Sequence, residues 1–578
     1  MQRTLPTCVA AVLVLAACQR QQPAPPAAPA ASATTAAATP VTFHDAIDAG
    51  DFVEHVKTLS SDAFEGRGPG TPGEEKSVQY IKSQFARIGL KPGNNGDWFQ
   101  TVPMVETTAD PGTTLQLTVD GKPRTLKMGD DMVVGTTNGK PEVTIKDSPL
   151  VFVGYGVDAP EQHWNDYAGL DVKGKTVVML VNDPGFHAND PSLFEGKRMT
   201  YYGRWTYKFE EAARQGAAAA LIIHDTPGAS YGWEVVKNSW SGAQYALPAS
   251  SDPNPRLPAE GWITGEQATS LFADSGLDLD ALRAAANKRG FKPVPLKATL
   301  SLDLKNTIVE KQSRNVIGRL DGSTHPDEAM VYMAHWDHLG KHPDEPGDNI
   351  YNGAVDNATG VAGILEIAEA FAHQQPPPQR SLVFVAVTLE ESGLLGSQYY
   401  VAHPVVPLDK TVGVINLDAL GVAGKTHDLT VVGMGSSQLE DLLKGIADKQ
   451  GLSLHAESRP EAGSYFRSDH FNFAKAGVPA MDIGSGNDLV QGGTTAGEAA
   501  ANDYNEHRYH KPGDQYDAAT WKVDGVVDLL NAAYGVGKIV TSDSQWPQWY
   551  PGSPFKAARE LMMSPKIAPA KAPAPATP

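Results

Sequence analysis

From residue 315 onward the chain repeats one pattern, a short and almost wholly apolar run followed by a stretch with helical periodicity. Residues 330–334, 382–388, 412–416 and 478–483 read as strands, and residues 361–371 and 439–450 as helices. Such alternation predicts an α/β fold, a mostly parallel or mixed sheet sandwiched by helices. In folds of this kind ligands gather beyond the C-terminal ends of the strands. The residues just past each predicted strand are therefore the place to look for chemistry.

Those positions are rich in metal-ligand types. His335 and Asp337 follow the first run, Asp356 stands at the mouth of a helix, Glu390 and Glu391 end the run 381–389, and Asp418 follows 412–416. A late loop adds Tyr509, His510 and Asp514. Two adjacent carboxylates at a strand end do nothing for an apolar core, but they can divide labour, one binding a metal and the other taking a proton from the metal's water. A mixed histidine and carboxylate set suits zinc or a neighbouring divalent ion better than an all-oxygen set would. His338, His342, His470 and His507 lie near these motifs and are set aside as ligands, with Asp469 and His470 read as supports of the pocket. Nucleophilic catalysis by Cys or Ser finds no support, because no Gly-x-Ser-x-Gly elbow joins a strand to a helix.

At 578 residues the chain exceeds one ordinary core. A net charge of −19 excludes nucleic acid as the main partner, since phosphate backbones require clustered Lys and Arg. The apolar stretch 9–15 is too short to span a bilayer and suits a signal-peptide core, and it runs into Leu15-Ala-Ala-Cys18. That sequence resembles a bacterial lipobox, which implies cleavage before Cys18 and a lipid on it. Cys8, the other cysteine, would be removed, leaving no disulfide. Residues 19–40, rich in Ala, Pro, Gln and Thr, read as a tether. Residues 41–104 read as helical with an intervening loop at 65–72, and 113–296 carry short β-like runs and a helix at 207–215 feeding another strand.

The series His335-Trp-Asp337, Asp356-Asn-Ala-Thr-Gly360, Glu390-Glu391-Ser-Gly-Leu-Leu-Gly-Ser397, Asn416-Leu-Asp418 and Tyr509-His510 resembles the M28 family of co-catalytic zinc peptidases, in the family's order. The segment around Gly154-Tyr-Gly156, Asn165-Asp-Tyr167 and 216–225 resembles the protease-associated domain of several branches. The resemblance implies a zinc-exopeptidase (phosphorylase/hydrolase-like) fold with a β-rich α+β insert. It divides the chain into a lipoprotein signal peptide (1–17), a tether (18–42), an N-terminal peptidase segment (43–112), the insert (113–296), a C-terminal peptidase segment that carries the catalytic residues (297–560) and a disordered tail (561–578). It further implies two zinc ions, with cobalt or manganese as substitutes. Asp356 would bridge them, with His335 and Asp418 on one and Glu391 and His510 on the other. Glu390 would be the general base, Tyr509 an oxyanion donor, and the Asp337 carboxylate the acceptor for the far nitrogen of His335.

The expected function is exopeptidase action, foremost as an aminopeptidase on peptides, at a bacterial cell envelope through lipid on Cys18. The alternatives are a carboxypeptidase or glutaminyl cyclase of the same fold, and a non-catalytic binding module on a peptidase scaffold. Side-chain preference, oligomeric state and the role of the insert are not legible.

Overall fold

The structure, a computed structural model, describes residues 47–542 and 544–564. The signal peptide, Cys18 and the tether lie outside the described residues. Of the tail expected from 561, its first residues complete the helix Lys556–Met563 and the remainder lies outside them. Among the described residues no helix is long and apolar enough to cross a membrane.

The predicted alternation becomes a mixed sheet. His325–His335 lies at its centre, parallel to Arg380–Val387 on one side and to Thr411–Asn416 on the other. Ala480–Ser485 continues the parallel set, and antiparallel strands extend both sides, Asp428–Val432 beyond Ala480–Ser485 and Val294–Leu320 beside Arg380–Val387. Because side chains alternate along a strand, each apolar run feeds two cores. Met330, Tyr332, Ala334, Leu382, Phe384 and Ala386 pack with the helices Ala49–Leu59, Thr359–His373 and Asp524–Ser542. Val331, Met333, Val383, Val385 and Val387 face the other way, onto Tyr400, Phe473 and Phe471. This doubly covered sheet is the expected α/β sandwich, and the His335, Glu390 and Asp418 segments leave it at the C-terminal ends of its parallel strands.

Two features depart from the sequence reading. Phe99–Ala109, placed within a helical region, is a strand that pairs antiparallel with residues 306–316. Its partner lies some two hundred positions away, so its strand character comes from pairing rather than from local pattern. Val294–Leu320 is a single 27-residue strand. Its N-terminal half pairs with Thr114–Val119 and Glu142–Phe152 of the segment 113–296, and its last residues pair with Arg380–Val387. The expected boundary at 296/297 thus falls inside a continuous strand that both sheets share. Within residues 113–296 the predicted helix and strand appear as Trp205–Arg214 and Ala219–Ile223.

The N-terminal helices are tied to the site by Arg67, whose side chain is wholly buried. Its guanidinium donates to the carbonyls of Trp336 at 2.8 Å, Leu59 at 2.9 Å, Asn352 at 2.6 Å and Gly353 at 2.7 Å. Burial pulls its pKa down to about 10, against the charges of Asp514, Asp356, Asp337 and Glu391, so it is cationic at neutral pH. One planar fork thereby fixes the loops that follow His335 and precede Asp356. Replacing it with an apolar residue removes the guanidinium donor from four carbonyls, of which Gly353's keeps the Ala358 amide at 3.2 Å. We expect Arg67→Met to cost about 3 kcal/mol or more, as for breaking a buried charged contact, measured by denaturant unfolding. A loss under about 1 kcal/mol would show that water replaces the clamp.

Candidate metal centre

His335 is the last residue of the central strand, and its ring is fixed from behind by Nδ1 donating to the Asp337 carbonyl at 3.1 Å. Nε2 then points into the site, 3.2 Å from Asp356 Oδ1 and 3.2 Å from Asp418 Oδ1. The Asp337 carboxylate is 3.9 Å from Nδ1. Its Oδ1 accepts from the Glu390 amide at 3.2 Å instead. The expected carboxylate–histidine contact is therefore corrected: the main-chain carbonyl of Asp337 sets the tautomer, because the strand end turns so tightly that the carbonyl reaches the ring first. The side chain ties the His335 loop to the Glu390 loop.

Asp356 sits in an irregular turn, Ala354–Ala358, ahead of Thr359–His373. The amides of Val355 and Asp356 each donate to the Asp514 carboxylate at 3.0 Å, which fixes the turn from the His510 loop. Asn357 binds the opposite side, donating to the Leu417 carbonyl and accepting from the amides of Gly360 and Ala419. A Cβ at Gly360 would lie 2.3 Å from the Leu417 carbonyl, so glycine permits the close approach that sets Asp356 beside Asp418. Asp418 is held in turn by Ser468, whose hydroxyl donates to Oδ2 at 2.6 Å while accepting from Asn416 at 2.8 Å.

The second half of the site forms on the other oxygen of Asp356. His510 Nε2 lies 3.2 Å from Asp356 Oδ2 and 3.1 Å from Glu391 Oε2. The single Asp356 carboxylate thus presents Oδ1 to one histidine and Oδ2 to another. Glu390 gathers with His335 and Asp418, and Glu391 with Asp356 and His338. Tyr509 is half-exposed and stacks on the His510 ring at 3.9 Å.

The donor set fits a cation. With Nδ1–H of His335 committed to a carbonyl, neutral Nε2 turns a lone pair toward two carboxylate oxygens, an arrangement that needs positive charge between them. The ion pairs of Asp356, Glu391 and Asp418 are all with histidine. Without metal the imidazoles must supply that charge. Burial lowers the His510 pKa but Asp356 and Glu391 outweigh it and raise it to about 10. His335 is likewise driven well up, burial being overcome by Asp418 and Glu390. Burial and the neighbouring charges of Glu391 and Asp418 push Glu390 well above the usual carboxylate range, despite the opposing His335.

The structure brings His335, Asp356, Glu390, Glu391, Asp418 and His510 together, with Asp337 and Tyr509 at their edge. His342 and His507 stay outside, and buried His470 lies against Tyr465. Asp469 accepts from Ser397 at 2.6 Å and exerts its charge on Glu390. His338, set aside from the sequence, is in the site: Nδ1 is 2.7 Å from Glu391 Oε1. Ser468 and Arg67 also escaped sequence reading, and Asp514, noted there among the metal-ligand types of the late loop, instead accepts from the backbone of the Asp356 turn. The only local signal for His338 was its place three residues past His335.

Residues 315–534 match the family model described as Peptidase family M28. The matched stretch, less than half of the chain, contains every residue of the site from His335 to His510. A "Probable zinc metalloprotease" of Pyrenophora teres f. teres (strain 0-1) is 39% identical over 182 residues, 31% of this chain and 36% of that protein. "Aminopeptidase YwaD" of Bacillus subtilis (strain 168) is 31% identical over 195 residues, 32% of this chain and 38% of its own. In both, the matched stretch spans less than two fifths of the relative's length. The solved "Aminopeptidase from Aneurinibacillus sp. strain AM-1" is 21% identical, covering 86% of this chain and 95% of that one with a TM-score of 0.46.

Asp514 gives a direct test of how the site is held. Asp514→Ala leaves the Val355 and Asp356 amides without acceptors, and zinc affinity is expected to fall by about 10- to 100-fold, the usual effect of losing a ligand's support. Competition with a chromophoric chelator measures it, and unchanged affinity would show that the turn holds without Asp514.

Proposed function

We propose that the chain is an exopeptidase working with two zinc ions, foremost an aminopeptidase that releases N-terminal residues from peptides. The observation that carries this reading is the division of the Asp356 carboxylate between two histidine and carboxylate groups. His335 and Asp418 would hold one ion with Asp356, and Glu391 and His510 the other. Zinc bound here supplies Lewis acidity to the scissile carbonyl and lowers the pKa of water.

The chain's own residues do the rest. Glu390, whose pKa is raised by burial and the surrounding negative charge, is suited to take a proton from the attacking water and deliver it to the departing amine. The Asp337 carboxylate, accepting from the Glu390 amide, holds that loop in place. Tyr509, half-exposed on the His510 ring, keeps its proton because partial burial and then the charge of Asp356 and Glu391 raise its pKa, so its hydroxyl can donate to a developing oxyanion. We also read 113–296 as a protease-associated insert and Cys18 as the site of a lipid anchor in a bacterial envelope, from the motifs in those segments. Release of Cys18→Ala from membranes on fractionation tests the anchor, and unchanged fractionation would refute it.

Two measurements test the enzyme. Glu390→Gln should keep two zinc ions per chain by metal analysis while turnover falls by about 10²- to 10⁴-fold, the range for a general base; near-normal turnover removes Glu390 from that role. In a panel of free and N-acetylated peptides, chelator-sensitive cleavage of the free set alone is expected. Trimming of blocked peptides from the C-terminal end would favour a carboxypeptidase, cyclisation of N-terminal glutamine a cyclase, and inertness of every peptide a binding module.

A further inference from the structure

We propose that His338 is a positioning residue for Glu391, holding that carboxylate so that a single oxygen, Oε2, faces the His510 side of the site. The inference rests on the two-ion reading above and concerns how one of those sites is shaped. His338 is buried, and its Nδ1 lies 2.7 Å from Glu391 Oε1. Its other nitrogen, Nε2, is sheltered and has no hydrogen-bond partner among the described residues. A buried N–H without an acceptor is costly, so the neutral ring carries its proton on Nδ1 and donates to Glu391.

The ring is wedged where it stands. A Cβ on Gly353, which has a φ of +55°, would come within 2.6 Å of it. The His338 amide bonds to the Arg67 carbonyl at 3.3 Å, and the ring meets His510 edge-on, with centroids 5.7 Å apart. Arg67 in turn clamps the Gly353 carbonyl from its other side. A donor so confined fixes Oε1 in one direction. Oε2 remains, 3.1 Å from His510 Nε2, as the oxygen open to a cation. Binding through one oxygen leaves more of the ion's coordination shell for water or substrate than binding through two.

The test uses the full chain, with zinc affinities of both sites measured by chelator competition and thermal unfolding recorded for the metal-free protein. His338→Leu should weaken one zinc by about 10- to 100-fold and leave the other within about threefold. His338→Asn, whose amide can stand in for Nδ1–H, should recover most of the loss. If Leu lowers only the unfolding temperature and both affinities hold, the role is structural packing and the inference falls. If Asn loses as much as Leu, the ring itself ligates metal and the inference also falls. A wild-type stoichiometry of one would overturn the two-ion reading. The response of that one ion to His338→Leu and His338→Asn would still decide the His338–Glu391 bond.

Discussion

Like charge gathered in a buried place is the constraint on which this molecule depends. Asp356, Glu390, Glu391 and Asp418 converge on the imidazoles of His335, His338 and His510 at the end of a sheet. Each would move away or take up a proton if its backbone were free to yield. The surrounding structure holds them together by bonding the backbone, while the facing histidines offset part of the charge. Asp514 holds the Asp356 turn, Asn357 binds it to the Asp418 loop, and Asp337 holds the Glu390 amide. A cation bound among them would relieve a repulsion that folding imposes, and would couple the stability of these loops to the metal.

The contacts that hold the site come from widely separated regions of the chain. Arg67 belongs to the N-terminal helices yet binds carbonyls on both sides of the site. Ser468 comes from a segment between distant strands and fixes Asp418. Residues 113–296 are joined just as closely, because Val294–Leu320 passes from their strands to the one that leads into the Glu390 loop. Leu247 of the insert also packs with Leu389 and Leu395, on either side of the glutamate pair. A change within residues 113–296 can therefore reach the loops of the candidate site through packed side chains and a continuous strand.

Much of this was legible from the sequence, for a physical reason. The strands 330–334 and 382–388 are buried on both faces, so their residues must be apolar throughout, and such runs stand out. The gathering of these side chains was legible because carboxylates and histidines recur at several successive strand ends, where an apolar core has no use for them. Phe99–Ala109 was not legible, since its partner is remote and its own pattern is ambiguous. Nor was the choice at Asp337 between carboxylate and carbonyl, which rests on less than an ångström of loop geometry.

The sequence by itself determined the order of strands and helices and the residue types offered at their ends, because burial periodicity and ligand chemistry are written locally. Tertiary structure alone decided the rest. It sent the two oxygens of Asp356 to different histidines, brought His338 in from among four set-aside histidines, and placed Arg67 behind them all. Those outcomes depend on where distant loops meet within a few tenths of an ångström, and no local pattern carries that information.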